Sequence, residues 1–289
     1  MMHIMMNPEH PADRLCQAID EKAVPLCIGI DPVLDYLPEV LRVDTPMVAI
    51  ESFCQGVIDA VSPIVPAVKF QSACFERYGS KGVSVLGSLR GYAKEAGMQI
   101  VLDVKRGDIG LTASHYAVAA TIDGPADWVT LNPYLGMESI TPFLEQGLGV
   151  FCLVRTSNSS GDVIQSEKLA DGRTISSFVA DVVANEGSSW IGKSGWSSLG
   201  AVVGATKPED ARKLRSQMQS QIFLMPGVGA QGGSVEDIRS CIREGHGALI
   251  PVSRSLLYPK QKSGNWQADI EAATKELSNR LQNMEEMCE

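Results

Sequence analysis

The stretch IVLDVKRGDIGLT, residues 100–112, drives an apolar strand-like run straight into a cluster of charge: Asp103, Lys105, Arg106 and Asp108. Side chains of a strand alternate between its two faces, so Val101, Asp103 and Lys105 share one face and Leu102 and Val104 the other. Lys69 stands inside a second strand-like run, AVKFQ at 67–71, and Asp31 closes a third, LCIGID at 26–31. A buried charge is tolerated when it is paired or used, and alternating Lys and Asp keep each other ionised. Such a set suits ionised cations and carboxylates facing a substrate. The alternative is a structural ion-pair network, and the position of these residues at strand ends favours a site.

A second cluster reads as an anion site. PGVGAQGG, 226–233, is rich in glycine, and Gly229, Gly232 and Gly233 would let backbone N–H groups approach a phosphate. Ser234 is the expected N-cap of a helix over SVEDIRSCIREG, where Ile238 and Ile242 recur at helical spacing. Arg254, in VSRS, adds a planar and permanently charged fork. The glycines alone would suit a plain turn. With Arg254 and their place late in the chain, they point to a phosphorylated substrate.

The elements that must position these residues alternate from end to end. Strands are expected at 26–31, 67–71, 99–105, 128–134, 149–157, 199–206, 221–229 and 247–254. Amphipathic stretches lie between them, such as the one carrying Phe53, Val57 and Val61. Eight strand–helix units imply parallel pairing with right-handed crossovers. In number and length they fit an α/β fold of the (β/α)8 TIM-barrel type, a single domain over residues 1–289. An open doubly wound sheet is the alternative, and no G-x-G-x-x-G follows the first strand to support it. Residues 11–23 are expected to form a helix capping the barrel floor, and 158–198 a long β5–β6 connection with a helix near TISSFVADVVANEG. Catalytic groups of such barrels project from the C-terminal ends of the strands, where Asp31, Lys69, Asp103, Lys105, Thr156, Ser157, Asn158 and Arg254 all fall.

Composition narrows the classes of function. With 44% hydrophobic and 20% charged residues in 289, the chain is ordinary globular protein. A net charge of −9 argues against a nucleic-acid surface, though a local cationic pocket remains compatible with it. No apolar run reaches the roughly 18 residues of a membrane span, and the first residues carry no secretory pattern. The 7 cysteines are scattered without C-x-x-C pairs, and Cys27 and Cys152 sit in strand runs, which predicts reduced thiols and a cytoplasmic protein. The 4 histidines, His3, His10, His115 and His246, have no ligand-like spacing, so no metal site is expected.

LDVKRGDIGLT resembles the D-x-K-x-x-D-I signature of the orotidine 5′-phosphate decarboxylases, and its KRGDI form is similar to the longer, type 2 bacterial branch. GIDP, AVKFQ, SSLGAVVGAT, PGVGAQGG and VSRS resemble that family in the same order, over nearly the whole chain. The resemblance implies cofactor-free conversion of orotidine 5′-monophosphate to UMP and CO2, the last step of UMP synthesis. It implies that Lys105 protonates C6 of the pyrimidine and that Asp103 sits beside the departing carboxylate. Asp31 and Lys69 would bind ribose hydroxyls, with Lys69 completing the charge network. Ser157 would contact the pyrimidine amide, with Thr156 and Ser159 as close competitors. Gln231 would bridge phosphate and base, and Arg254 would grip the phosphate beside Gly232 and Gly233. Ile109 and Thr112 would join the substrate-binding set. Asp108 would reach into the neighbouring subunit's site, which implies a homodimer.

Three rival readings remain open to the sequence. One is another phosphate-binding barrel, such as a Schiff-base sugar-phosphate aldolase. Another is a metal-dependent β-keto acid decarboxylase of the same superfamily, which would want a carboxylate on an earlier strand and a divalent cation. The third is a nucleotide-binding module without catalysis.

Overall fold

In the computed structural model, which describes residues 9–42, 45–228, 232–260 and 263–286, eight parallel strands close into a barrel in chain order. The strands are β1 (Leu26–Ile30), β2 (Ala67–Gln71), β3 (Gln99–Arg106), β4 (Trp128–Leu131), β5 (Gly149–Arg155), β6 (Ser197–Val203), β7 (Gln221–Leu224) and β8 (Ala248–Val252). Six of them end earlier than the sequence pattern suggests. β4 stops at Leu131 because the Asn132 side chain accepts the Tyr134 N–H at 3.1 Å and starts a 3-10 turn over Pro133–Leu135. The other early endings, at Ile30, Arg155, Val203, Leu224 and Val252, leave the loop residues of the barrel mouth free to turn inward.

Strand alternation divides the core into two compartments. Inward residues Cys27, Ala67, Val101, Trp128, Phe151, Val202, Ile222 and Leu249 fill the lower barrel. Trp128 and Phe151 stack there with ring centroids 4.4 Å apart. Trp128 faces Gly149 across the β4–β5 pair, and a Cβ on Gly149 would lie 2.3 Å from the indole. Outward residues such as Val68, Ile100, Leu102 and Val129 pack instead against surrounding helices, including Pro46–Val61, which buries Phe53, Val57 and Val61.

The floor is closed by the helix Pro11–Lys22, whose Ala12, Leu15, Cys16 and Ile19 join the inner cluster. Asp127 ties that helix to the barrel. Its buried carboxylate takes Arg14 at 3.2 Å, Lys94 at 2.5 Å and the Ile100 N–H at 2.9 Å. The β5–β6 connection carries the expected helix, Ile175–Gly187.

One helix is shorter than its periodicity suggests. Ser234 forms a capping box with Asp237, but the α-helix ends at Ile238 and passes into a 3-10 turn over Arg239–Cys241. Ile242 is extended, because Arg243 and His246 exchange backbone hydrogen bonds at 2.8 and 2.9 Å in a tight turn that feeds β8. A single helical turn has little dipole to offer an anion, which removes part of the sequence argument for phosphate binding at this point.

Candidate active site

The strand-end charges converge. Lys69 of β2 donates to Asp103 Oδ2 at 2.9 Å and lies 3.6 Å from Asp31 Oδ1, just past β1. Lys105 donates to the other oxygen of the same carboxylate, Asp103 Oδ1, at 2.5 Å. Two ammonium groups and two carboxylates thus alternate in one array across three adjacent strands. Burial would by itself push the Asp103 carboxyl up, but Lys69, Lys105 and a hydroxyl from Thr130 hold it well below the usual carboxylate range. Burial would likewise depress Lys69, yet Asp103 and Asp31 beside it raise it above the usual lysine range. Both groups therefore stay charged at neutral pH.

Simple alternation places Lys105 on the correct side but misses how it gets there. The β3–β4 register jumps from Leu102 opposite Val129 to Arg106 opposite Leu131. The extra residues form a bulge, and Lys105 sits in the left-handed region at φ +48°. For a residue with a Cβ that backbone costs roughly 1–2 kcal/mol, a strain that concentrates at functional positions. At the bulge, Thr130 Oγ1 accepts the N–H groups of Val104 and Lys105, each at 3.0 Å, and donates to Asp103 Oδ1 at 2.7 Å.

Asp31 is held from the neighbouring strand β8, where the barrel closes. Ser253 Oγ lies 2.6 Å from Asp31 Oδ2 and 2.9 Å from the Gly29 carbonyl oxygen, linking the ends of β1 and β8.

A cavity of about 440 Å³ opens over the array, lined by Asp31, Lys69, Asp103, Lys105 and Thr130 on one side. Its other walls include Thr156, Ser157, Asn158, Pro226, Gly227, Val228 and Arg254. The size and the few convergent polar groups suit a small-molecule site. Buried Arg155 organises the 156–158 wall. Its guanidinium meets Asp210 and Asp162 at 2.7 Å each, and Lys207 holds Asp162 at 2.7 Å. Gln165 accepts the Thr156 N–H at 2.9 Å and donates to the Thr156 hydroxyl at 2.8 Å. Thr206 fixes the Ser157 carbonyl at 3.0 Å, and only a glycine at 204 permits the approach, since a Cβ there would lie 2.7 Å from Ser157 Cα. Thr156 is thereby occupied, while the Ser157 hydroxyl makes no hydrogen bond to a described residue and faces the cavity. Ser159 does not line it. Arg254 is exposed and makes no ion pair with a described residue, so its charge is available to an anion.

Residues 24–268 match the family described as orotidine 5′-phosphate decarboxylase / HUMPS. The chain belongs to this family. The orotidine 5′-phosphate decarboxylase of Rhodopirellula baltica is 38% identical, with 93% of this chain and 98% of that protein covered. That of Clostridium perfringens is 37% identical, with 85% of this chain and 88% of that protein covered. The solved structure of the Leishmania donovani OMP decarboxylase superposes with a TM-score of 0.78 at 30% identity, covering 95% of this chain and 98% of that one.

Against the residues that resemblance to the decarboxylases singles out, the structure brings together Asp31, Lys69, Asp103, Lys105, Ser157 and Arg254 around one cavity. Asp108, Ile109 and Thr112 do not line it. The Asp108 carboxylate accepts the N–H of Ile109 at 2.9 Å, and Ile109 and Thr112 are exposed on the loop and helix that follow β3. Gln231 and Gly229 lie outside the described residues. Gly232 is exposed at φ +89°, but the Gly233 N–H is already given to the Gly227 carbonyl at 3.0 Å. Thr130, Ser253, Arg155 and Gln165 were not legible as site residues, because each acts through a neighbour and none belongs to a charged strand-end pattern.

The depressed carboxyl of Asp103 sets a pH dependence. A group whose folded pKa is lowered stabilises above its unfolded value, near 3.9, and loses that contribution as pH falls through the folded value. The difference in urea midpoint between the wild type and Asp103→Asn should therefore shrink steadily as pH is lowered from about 5 towards 3. A difference that is constant over that range would mean that Asp103 is not held ionised by its partners.

Proposed function

We propose that the chain decarboxylates orotidine 5′-monophosphate to UMP and CO2, the last step of UMP synthesis. The observation that carries the reading is the Asp31–Lys69–Asp103–Lys105 array beneath a cavity that is also lined by Arg254, in a chain of this family. When the bond between C6 and the carboxylate breaks, CO2 departs and its electron pair stays on C6. Lys105 stabilises that charge and delivers a proton from Nζ to C6, and solvent reprotonates the lysine. Asp103 keeps Lys105 aimed and sits beside the departing carboxylate. A preorganised cation in a site closed to water is worth far more than one in bulk solvent.

Asp31 and Lys69 hold the ribose hydroxyls, and Ser157 reads the pyrimidine amide. Arg254 takes the phosphate, with Gly232, Gly233 and Gln231 carried into that role by the family resemblance. Phosphate contacts far from the reacting bond can still lower its barrier if their binding energy closes the site.

Two rivals fit the geometry less well. A Schiff-base lysine must reach a substrate carbonyl with its Nζ, and Lys105 Nζ is instead engaged by the Asp103 carboxylate at 2.5 Å. A divalent cation between Asp31 and Asp103 would meet Lys69, which already occupies that space. The reading is therefore cofactor-free. Purified protein should convert orotidine 5′-monophosphate to UMP, followed by absorbance, at the same rate with and without chelator. No turnover would overturn the reading, and loss of turnover in chelator would overturn its cofactor-free part.

We also take residues 1–289 as one barrel domain of a cytoplasmic homodimer. The floor helix and the helix Trp266–Glu286 both pack on the barrel core, through Leu15 and Ile270 among others. Among the described residues no helix is long and apolar enough to cross a membrane, and the six described cysteines are free thiols, five of them buried. The dimer reading rests on Asp108, which does not line the cavity of its own chain, with Ile109 and Leu111 exposed beside it in the sequence. An exposed apolar group of this kind marks an interaction surface. If Asp108 completes the partner's site, Asp108→Asn and Lys105→Ala will each be nearly inactive alone. After subunit exchange, half the dimers are mixed and each has one intact site of two, so about a quarter of wild-type activity should return. No recovery, with exchange confirmed by mass spectrometry, would return Asp108 to a role in its own chain.

A further inference from the structure

We propose that Thr130 is a positioning residue for the decarboxylation, setting the geometry of both Asp103 and Lys105 through one hydroxyl. The inference rests on the reading of Lys105 as proton donor given above. Thr130 is 1% exposed and lies on the inward face of β4, two residues above Trp128. The jump in register leaves Asp103, Val104 and Lys105 facing Thr130 alone, since Leu102 pairs with Val129 and Arg106 with Leu131. The backbone ladder therefore has too few carbonyls at this point, and the Thr130 side chain supplies the missing acceptor.

A hydroxyl has one donor and two acceptor positions. Thr130 uses all three: the N–H groups of Val104 and Lys105 at 3.0 Å each, and Asp103 Oδ1 at 2.7 Å. Its O–H direction is consequently fixed, because an ionised Asp103 can only accept. The same hydroxyl that holds Lys105 at φ +48° thus fixes the carboxylate oxygen to which Lys105 Nζ returns. A valine at 130 would keep the shape and the strand preference. It would leave two part-buried N–H groups without their acceptor and free both Asp103 and the bulge to turn. Substrate contacts from Asp31, Ser157 and Arg254 would be untouched, so the loss should fall on turnover and spare binding.

The test compares Thr130→Val and Thr130→Ser with the wild type for turnover of orotidine 5′-monophosphate, affinity for UMP and thermal midpoint. Thr130→Val should lose about 100-fold in kcat, the scale of removing one preorganised donor, with KM and UMP affinity within about threefold. Thr130→Ser, which keeps the hydroxyl, should restore kcat to within about fivefold of the wild type. Should Thr130→Val fail to fold, Thr130→Cys, with its weaker donor and acceptor, carries the same expectation of lost kcat at unchanged KM. A kcat for the folded variant within twofold of the wild type would overturn the inference. An equal loss in Thr130→Ser, or a loss confined to KM and UMP affinity, would also do so. A wild type without turnover would overturn the functional reading itself, whereas an active wild type beside an unimpaired Thr130→Val would overturn this inference alone.

Discussion

Everything at the barrel mouth depends on keeping one buried carboxylate ionised. Asp103 has a side chain only 7% exposed, and a charge removed from water to that extent is strongly disfavoured unless its neighbours compensate. Lys69, Lys105 and Thr130 do so, engaging both carboxylate oxygens. The compensation runs both ways, since Lys69 is itself buried and stays charged because Asp103 and Asp31 flank it. Without Asp103, buried Lys69 keeps only its longer contact to Asp31, and without Lys69, buried Asp103 keeps only the half-exposed Lys105 as a cation. The array is therefore set by mutual necessity, and its rigidity is what a reaction that leaves charge on carbon requires.

The rest of the fold serves that constraint from a distance. The parallel barrel brings β1, β2 and β3 side by side, so that Asp31, Lys69 and Asp103 meet from strands far apart in sequence. Stacked Trp128 and Phe151 fill the interior below, and Asp127 locks the floor helix to the bottom of the barrel. On the opposite wall, Arg155 with its two aspartates and Gln165 hold the 156–158 segment, leaving the Ser157 hydroxyl facing the cavity. That wall is tied down by side chains, with charge concentrated where it is most deeply supported.

Much of this was legible in the sequence. Alternation within LDVK correctly sends Asp103 inward and Leu102 and Val104 outward, because the pleat has a period of two whatever the neighbours do. Lys69 and Asp31 were visible for the same reason. What could not be read was the bulge at Val104–Lys105, which arises from the register of β3 against β4 and has no signature in either strand alone. Thr130 was hidden likewise: one threonine in WVTL reads as strand filler until the partner strand is beside it. The helix after Ser234 misled in the opposite way, since its capping box formed as expected while the turn at Arg243–His246 cut the helix short.

The claim that the charges work as one unit can be measured with a double-mutant cycle on kcat between Lys69→Met and Asp103→Asn, using orotidine 5′-monophosphate. Residues acting as a unit give grossly non-additive losses. If the array is one unit, the double variant will lose no more than the more damaged of the two single variants. Losses that multiply, each substitution costing the same whether or not the other is present, would mean that Lys69 and Asp103 act independently and would contradict the account.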